Sequence, residues 1–253
     1  MEILQAIILG LVQGASEFLP VSSSGHLLLL EKLGVGEENL FFNICLHLGT
    51  LLAVIVCMRK PLLSLLRRPF GRKTAYLVIA CVPTVALALL FKFFAPSLID
   101  GAYLPLGFMT TAVLLFASEK LVSAQPGFLD AKSSLLTGVF QGIAVLPGIS
   151  RSGATISALR FCGVDKESAA EFSFLLSVPV IIGSALYEGA EVAAAGTLGD
   201  VAALPLLFGV AAAFASGIVA VKFFMSMIKT KSMMPFAVYT AILSVVSFLL
   251  LYL

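Results

Sequence analysis

The stretch Gln13-Gly14-Ala15-Ser16-Glu17-Phe18-Leu19-Pro20-Val21-Ser22-Ser23-Ser24-Gly25-His26 sets an acid, three consecutive hydroxyls and an imidazole between two apolar runs, Ile3 to Val12 and Leu27 to Leu30. Neither run reaches the roughly 20 apolar residues a helix needs to cross a bilayer. Two half-length apolar pieces around a Pro/Ser/Gly centre predict a re-entrant hairpin, which enters the membrane and leaves on the same side. The composition supplies the membrane: 60% hydrophobic residues, 12% charged and a mean hydropathy of +1.08 lie far outside the range of soluble domains.

Working outward, Phe41 to Met58 reads as a full span, and Arg59, Lys60, Arg67, Arg68, Arg72 and Lys73 crowd the loop that follows. By the positive-inside rule that loop is cytoplasmic. Ala75 to Phe94 then leads out, the loop at Pro96, Asp100 and Gly101 has no basic residue, and Leu104 to about Val122 returns. From Ser123 to Ser134, with Gln125-Pro126-Gly127, the chain reads as a linker. Leu135 to Leu146 is again too short to span, and with Pro147 to Thr155 and the run to Cys162 it predicts a second re-entrant hairpin. Phe172 to Tyr187, Leu204 to about Met225 and Pro235 to Leu253 complete three further spans. An acidic loop (Glu188, Glu191, Asp200) is expected outside and a basic one (Lys229, Lys231) inside.

The two polar islands match each other at an offset of 128 residues: Gln13-Gly14 with Gln141-Gly142, and Ser22, Ser24 and Gly25 with Ser150, Ser152 and Gly153. Each begins a unit of one hairpin plus three spans, and the topology gives the units opposite orientation. The predicted fold is an all-α polytopic membrane protein, a single membrane domain over 1–253 built as an inverted-topology repeat, 1–123 and 134–253. That design is common in secondary transporters, where broken helices meet near the midplane with their N-termini toward an anion.

Ser22 and Ser150 each follow a proline-containing turn and precede a helical run, which makes them N-caps. Two helix N-termini meeting at membrane depth form an anion site suited to two linked phosphates, and Arg151 adds a planar fork for bidentate contact. Read structurally, the serines would only cap and Arg151 would snorkel to the surface; the doubled geometry weighs against that. Glu17 at membrane depth costs roughly 2.5–3.5 kcal/mol and therefore marks a polar cavity more readily than packing. Gln13, four residues earlier, shares its helix face; together they offer oxygen ligands to a divalent cation, or Glu17 serves as a general base. His26 lies within a turn of Ser22 and Ser23, a hydroxyl-imidazole pair available for nucleophilic attack. His47, inside a span without a polar partner in sequence, is expected to be structural, buried and hydrogen-bonded.

Other classes are disfavoured. No basic patch with interleaved aromatics suits nucleic acid, and a net charge of +2 says nothing for it. Cys45, Cys57, Cys81 and Cys162 sit in apolar stretches without metal-ligand spacing and read as buried thiols. With Trp absent, the interfacial belt must rest on Tyr and Phe. Glu2 stands where a signal peptide needs positive charge, so the first apolar run is expected to remain in place.

At these motifs the chain resembles the undecaprenyl-diphosphate phosphatase family, also called UppP or bacitracin-resistance protein BacA. The resemblance rests on the E/Q-x-x-x-E element (Gln13 to Glu17) with P-V-S-S-S-G-H (Pro20 to His26), on P-G-x-S-R-S-G-A-T (Pro147 to Thr155), and more weakly on Glu171 to Leu176. It implies an enzyme of the bacterial inner membrane that removes the terminal phosphate of undecaprenyl diphosphate, leaving the monophosphate carrier of peptidoglycan synthesis. A divalent cation (Mg2+ or Ca2+), a site open to the periplasmic side and a homodimer are implied with it. Carried over, Glu17 is the catalytic carboxylate, Ser23 or His26 the nucleophile, Arg151 the diphosphate clamp, and Glu17 with Gln13 the metal ligands. Gln13, Ser22, Ser24, Gly148, Ser150, Ser152, Gly153 and Thr155 are the candidate substrate-binding positions. Gln13 replaces the first carboxylate of the element, which puts any two-carboxylate metal site in doubt. The alternatives are a transporter or flippase of an anionic lipid carrier, and a type 2 phosphatidic acid phosphatase. The latter needs a second catalytic His after its Ser-Arg motif, and none follows His47.

Overall fold

The computed structural model describes residues 1–36, 39–121, 127–196 and 201–253. The centre of the expected linker (Ser123, Gln125, Pro126) and Asp200 lie outside the described residues. Among those described, the chain forms α1 (Ile3–Phe18), α2 (Ser23–Lys32), α3 (Leu40–Cys57), α4 (Arg59–Arg67), α5 (Arg72–Phe94), α6 (Leu104–Lys120), α7 (Ala131–Ile143), α8 (Arg151–Phe161), α9 (Lys166–Ala195), α10 (Ala203–Met227) and α11 (Met234–Tyr252). It is a polytopic all-α protein. Helices α3, α5, α9, α10 and α11 are long and apolar enough to cross a membrane. The remaining expected span, α6, has 17 residues and sits at the lower limit for crossing the hydrocarbon core.

Each predicted hairpin is a pair of half-length helices, α1 with α2 and α7 with α8, packed on one another. The first half of the polar island is helical: α1 runs on through Gln13 and Glu17 and stops where Pro20 forces Leu19 into an extended conformation (φ −71°, ψ 144°). Close approach of backbones sets the packing. A Cβ at Gly14 would collide with Ser216 Oγ, the Ala213 carbonyl and the Gly217 nitrogen of α10, and one at Gly138 of α7 would collide with Ala80 and Pro83 of α5. Small residues therefore seat α1 on α10 and α7 on α5, as expected where packing rather than water drives association. A shared core of Phe18, Ile156, Leu159, Phe174 and Phe224 locks the hairpin ends to the spans, with Phe18 edge-on to Phe174 at 5.5 Å.

Three expectations need correction. The basic segment after α3 is no simple loop: Arg59–Arg67 is an amphipathic helix without a buried residue, leucines against cations, the pattern of a helix lying in the interface. Glu188 and Glu191 belong to the last turns of α9, where Glu191 holds Lys92 of α5 at 2.6 Å, so neither lies in a loop. The four cysteines are half-buried, because apolar sequence here faces lipid as often as core.

Candidate active site

The tips of the two hairpins meet. Ser22 Oγ accepts the Gly25 N–H at 3.3 Å and Ser150 Oγ accepts the Gly153 N–H at 3.1 Å, so both serines cap helices, α2 and α8. The backbones interlock: a Cβ on Gly25 would fall 3.1 Å from the Gly148 Cα, one on Gly153 would fall 3.4 Å from Pro20, and Ser152 Oγ donates to the Leu19 carbonyl at 3.1 Å. Gly148 turns with φ 87°. Ser22 makes its own turn at φ 71°, an unfavourable conformation for a residue with a side chain, held where the two tips join. Thr111 of α6 braces the second tip, donating to the Gly148 carbonyl (2.9 Å) and accepting the Ser150 N–H (2.8 Å).

Glu17 is the hub. Its Oε2 accepts Ser23 Oγ at 2.6 Å and Gln13 Nε2 at 3.0 Å, and its Oε1 is paired with Arg151 Nη2. The carboxylate side chain is 5% exposed and the guanidinium 14%, so the pair is desolvated and mutually dependent. Two polar atoms of this cluster, Arg151 Nη1 and Gln13 Oε1, are among those buried without a partner. A buried donor left open on an arginine beside two helix N-termini is an invitation to an anion's oxygen.

The expected Ser23–His26 pair does not form. The His26 ring spends Nδ1 on the Ser22 carbonyl (2.6 Å) and Nε2 on the Tyr239 hydroxyl (2.7 Å), stacks on Tyr239 and stands edge-on to Phe108. A turn of helix puts residues 22 and 26 in register, so Ser22 takes the imidazole through its backbone while Ser23 points to Glu17. Of the other expected positions, Ser24 is exposed with its hydroxyl 3.4 Å from Ser22 Oγ. Thr155 bonds to Ser173 Oγ (2.7 Å) and to the Arg151 carbonyl (2.9 Å).

His47 departs from expectation. It is 32% exposed, with Nδ1 2.9 Å from Gln13 Nε2 and 3.4 Å from Glu17 Oε2, and so belongs to the cluster. An imidazole in a span, next to Gly49-Thr50, was the signal in sequence; its partners come from α1, 30 or more positions away. Tyr239 and Thr111 left no comparable trace, while Ser173 lies in the weakly matching stretch Glu171 to Leu176. As cation ligands the cluster offers the Glu17 carboxylate, the unpartnered Gln13 amide oxygen and the His47 nitrogen. Among the described residues no group of three or more His, Cys, Asp and Glu side chains is placed to hold a metal ion. Gln13 presents Nε2 rather than Oε1 to Glu17 and His47, so the three donors would hold a divalent cation only with the amide turned over. Chemically, the cluster pairs a hydroxyl with a base and a cationic fork, the parts of a phosphoryl-transfer site.

Comparison with known proteins agrees with that chemistry. The family model described as bacitracin resistance protein BacA matches residues 6–246. The chain is similar to an undecaprenyl-diphosphatase of Carboxydothermus hydrogenoformans, 41% identical over 249 residues covering 95% of this chain and 94% of the relative. It is similar to one of Methanobrevibacter smithii, 38% identical over 274 aligned residues covering 98% of each. Undecaprenyl-diphosphatase 4 of Bacillus thuringiensis subsp. konkukian is 37% identical over 240 residues, covering 93% of this chain and 92% of that protein.

Proposed function

The chain belongs to the family of bacitracin resistance protein BacA, and from that premise we propose that it hydrolyses undecaprenyl diphosphate to undecaprenyl phosphate and inorganic phosphate. It is a membrane phosphatase, and its product is the lipid carrier of peptidoglycan synthesis. The observation that carries the reading is Arg151, buried, half-satisfied by Glu17 and open at Nη1 between two capped helix ends. A diphosphate supplies the missing acceptor, while the prenyl tail stays in lipid.

In the mechanism we propose, Ser23 Oγ attacks the terminal phosphorus as its proton passes to Glu17 Oε2, 2.6 Å away. The bond to the bridging oxygen breaks, Glu17 hands the proton on to the departing phosphate, and undecaprenyl phosphate leaves with the carboxylate restored. Water then attacks the phosphoserine, with Glu17 as the base, releasing inorganic phosphate and restoring Ser23. When the diphosphate draws Arg151 to itself, Glu17 loses its counter-charge just as Ser23 must give up its proton. The helix N-termini of α2 and α8 stabilise the phosphate oxygens with their free N–H groups. His26, committed to Ser22 and Tyr239, orients α2 and leaves Ser23 as nucleophile. Gln13, Ser22, Ser24, Gly148, Ser150, Ser152, Gly153 and Thr155 shape the phosphate pocket by capping, turning and bracing it. A divalent cation held by Glu17 and Gln13 would, when bound, neutralise phosphate charge.

The finer architecture we propose is an inverted repeat, 1–123 and 134–253. Its support is the pairing of contacts: Gly10 and Gly14 seat α1 on α10, Gly138 and Gly142 seat α7 on α5, and α3 meets α9 as α6 meets α11. We place the protein in the cytoplasmic membrane with α4 at the inner surface, supported by its cations, and the site open to the outer side. A homodimer through α9 is supported by Gly183 and Gly189, which face open space.

Phosphate release from undecaprenyl diphosphate by the purified protein in detergent tests the function. Release by the wild type and its loss in Ser23→Ala and Glu17→Gln are expected. A folded wild type that releases none, with any divalent cation, overturns it.

A further inference from the structure

Gln13, Glu17 and His47 bring three polar atoms to one point. Gln13 Nε2 lies 3.0 Å from Glu17 Oε2 and 2.9 Å from His47 Nδ1, and the last two are 3.4 Å apart. Neighbouring ligands of an octahedral cation, each about 2.1 Å from the metal, stand about 3.0 Å apart; at the tetrahedral angle the same ligands stand about 3.4 Å apart. The triangle already has the edges of one face of a coordination shell.

The amide now turns its NH2 inward, where it bridges two lone pairs, and its Oε1 outward, where it is buried without a partner. Rotating the amide exchanges the two atoms, since they are of equal size and reach. Oε1 then replaces Nε2 at the centre, and three lone pairs from a carboxylate, an amide and an imidazole converge. That arrangement repels itself unless a cation sits among them. Ser23 Oγ, also on Glu17 Oε2, adds a fourth oxygen at the edge, and Arg151 occupies only the opposite oxygen, Oε1.

We propose that His47 is the third ligand of a divalent-cation site completed by Gln13 Oε1 and Glu17 Oε2, and that its nitrogen shifts the site from Ca2+ toward first-row transition ions. Hard oxygen sets suit Ca2+, whose ligands sit at 2.3–2.6 Å in larger numbers, whereas imidazole suits first-row transition metals. The use of the cation in catalysis rests on the phosphatase reading; its binding does not, and is measured without substrate.

The test is Mn2+ binding to the purified protein in detergent, followed by electron paramagnetic resonance with detection of the 14N modulation of a coordinated imidazole. The chain has two histidines, and both ring nitrogens of His26 are engaged elsewhere, so the modulation is assignable. Bound Mn2+ with 14N modulation is expected in the wild type and in His26→Gln. In His47→Gln the modulation disappears and Mn2+ affinity falls at least about tenfold, while Ca2+ binding changes less. Bound Mn2+ without 14N modulation in the wild type overturns the proposal, as does a signal lost in His26→Gln or a failure to bind Mn2+ at all. Phosphate release continuing in any of those cases would leave the phosphatase reading standing and remove only His47 from the metal.

Discussion

Arg151 and Glu17 test the site most sharply, because the structure makes their charges interdependent. With side chains 14% and 5% exposed, both ions are largely withdrawn from water, and each is the other's closest charged partner. At about 4 Å between charges and an effective dielectric near 20, the attraction is about 4 kcal/mol. Removing one partner from a buried pair costs about 3–5 kcal/mol, since the survivor is left uncompensated. Arg151→Met alone should therefore lower thermal stability, by about 6–12 °C for a loss of about 3 kcal/mol at about 2–4 °C per kcal/mol. Glu17→Gln alone should act in the same direction, with Arg151 now the orphan. Combining the two removes both charges and should recover most of the loss, while phosphate release stays absent. The assay is thermal unfolding in one detergent for the wild type, both single variants and the double variant, with phosphate release measured on the same samples. Singles that melt within about 2 °C of the wild type, or a double less stable than either single, would refute the reasoning.

Other expectations follow from single contacts. Ser23→Ala should lower phosphate release at least about 1000-fold while leaving the melting temperature within a few degrees, since it removes a nucleophile and one hydrogen bond. Tyr239→Phe removes one partner of His26 and should cost about fivefold in kcat/KM, the equivalent of about 1 kcal/mol; a loss as deep as that of Ser23→Ala would assign His26 a direct chemical role. Gly14→Val drives a side chain into α10 and should prevent stable assembly, read as lost expression and a lowered melting temperature. The Ser133 N–H bound to Asp130 at 2.7 Å holds that carboxyl below its usual range. Its cap on α7 is therefore present above about pH 4 and lost as pH falls through the lowered value, so the stability gap between wild type and Asp130→Ala should close in acid.

Much of this was legible in sequence because the membrane constrains it. Apolar length separates spans from hairpins, and a polar residue at depth has to be explained; Glu17, Ser23 and Arg151 stand out for that reason and do meet. Less legible was whatever depends on which helix faces which. A helical turn brings His26 to Ser22, but only the packing of α11 decides that Tyr239 takes its other nitrogen. The partners of His47 lie on α1, and a single polar residue in a span does not say which neighbour it will meet. Where the chain turns along the interface, as in Arg59–Arg67, charge predicted the side of the membrane but not the helix, since nine residues without a cap give little local signal.

At the 128-residue offset that relates the two polar islands, Ser23 stands opposite Arg151, Glu17 opposite Val145 and His26 opposite Ala154, while Ser22, Ser24 and Gly25 stand opposite Ser150, Ser152 and Gly153. What is shared would build the proposed anion pocket: a capping hydroxyl and a close-packed glycine, each used the same way in both hairpins. What differs supplies the chemistry: base and hydroxyl from one hairpin, cation from the other. Two equal hairpins could each cradle a phosphate but would place acid against acid or cation against cation. On the proposed repeat, the differences at Glu17/Val145 and Ser23/Arg151 would turn a symmetric cradle into an ion pair for a diphosphate to open. Exchanging the pair, Glu17→Arg with Arg151→Glu, would keep the net charge and lose the chemistry, because Ser23 would then face a guanidinium that cannot accept its proton.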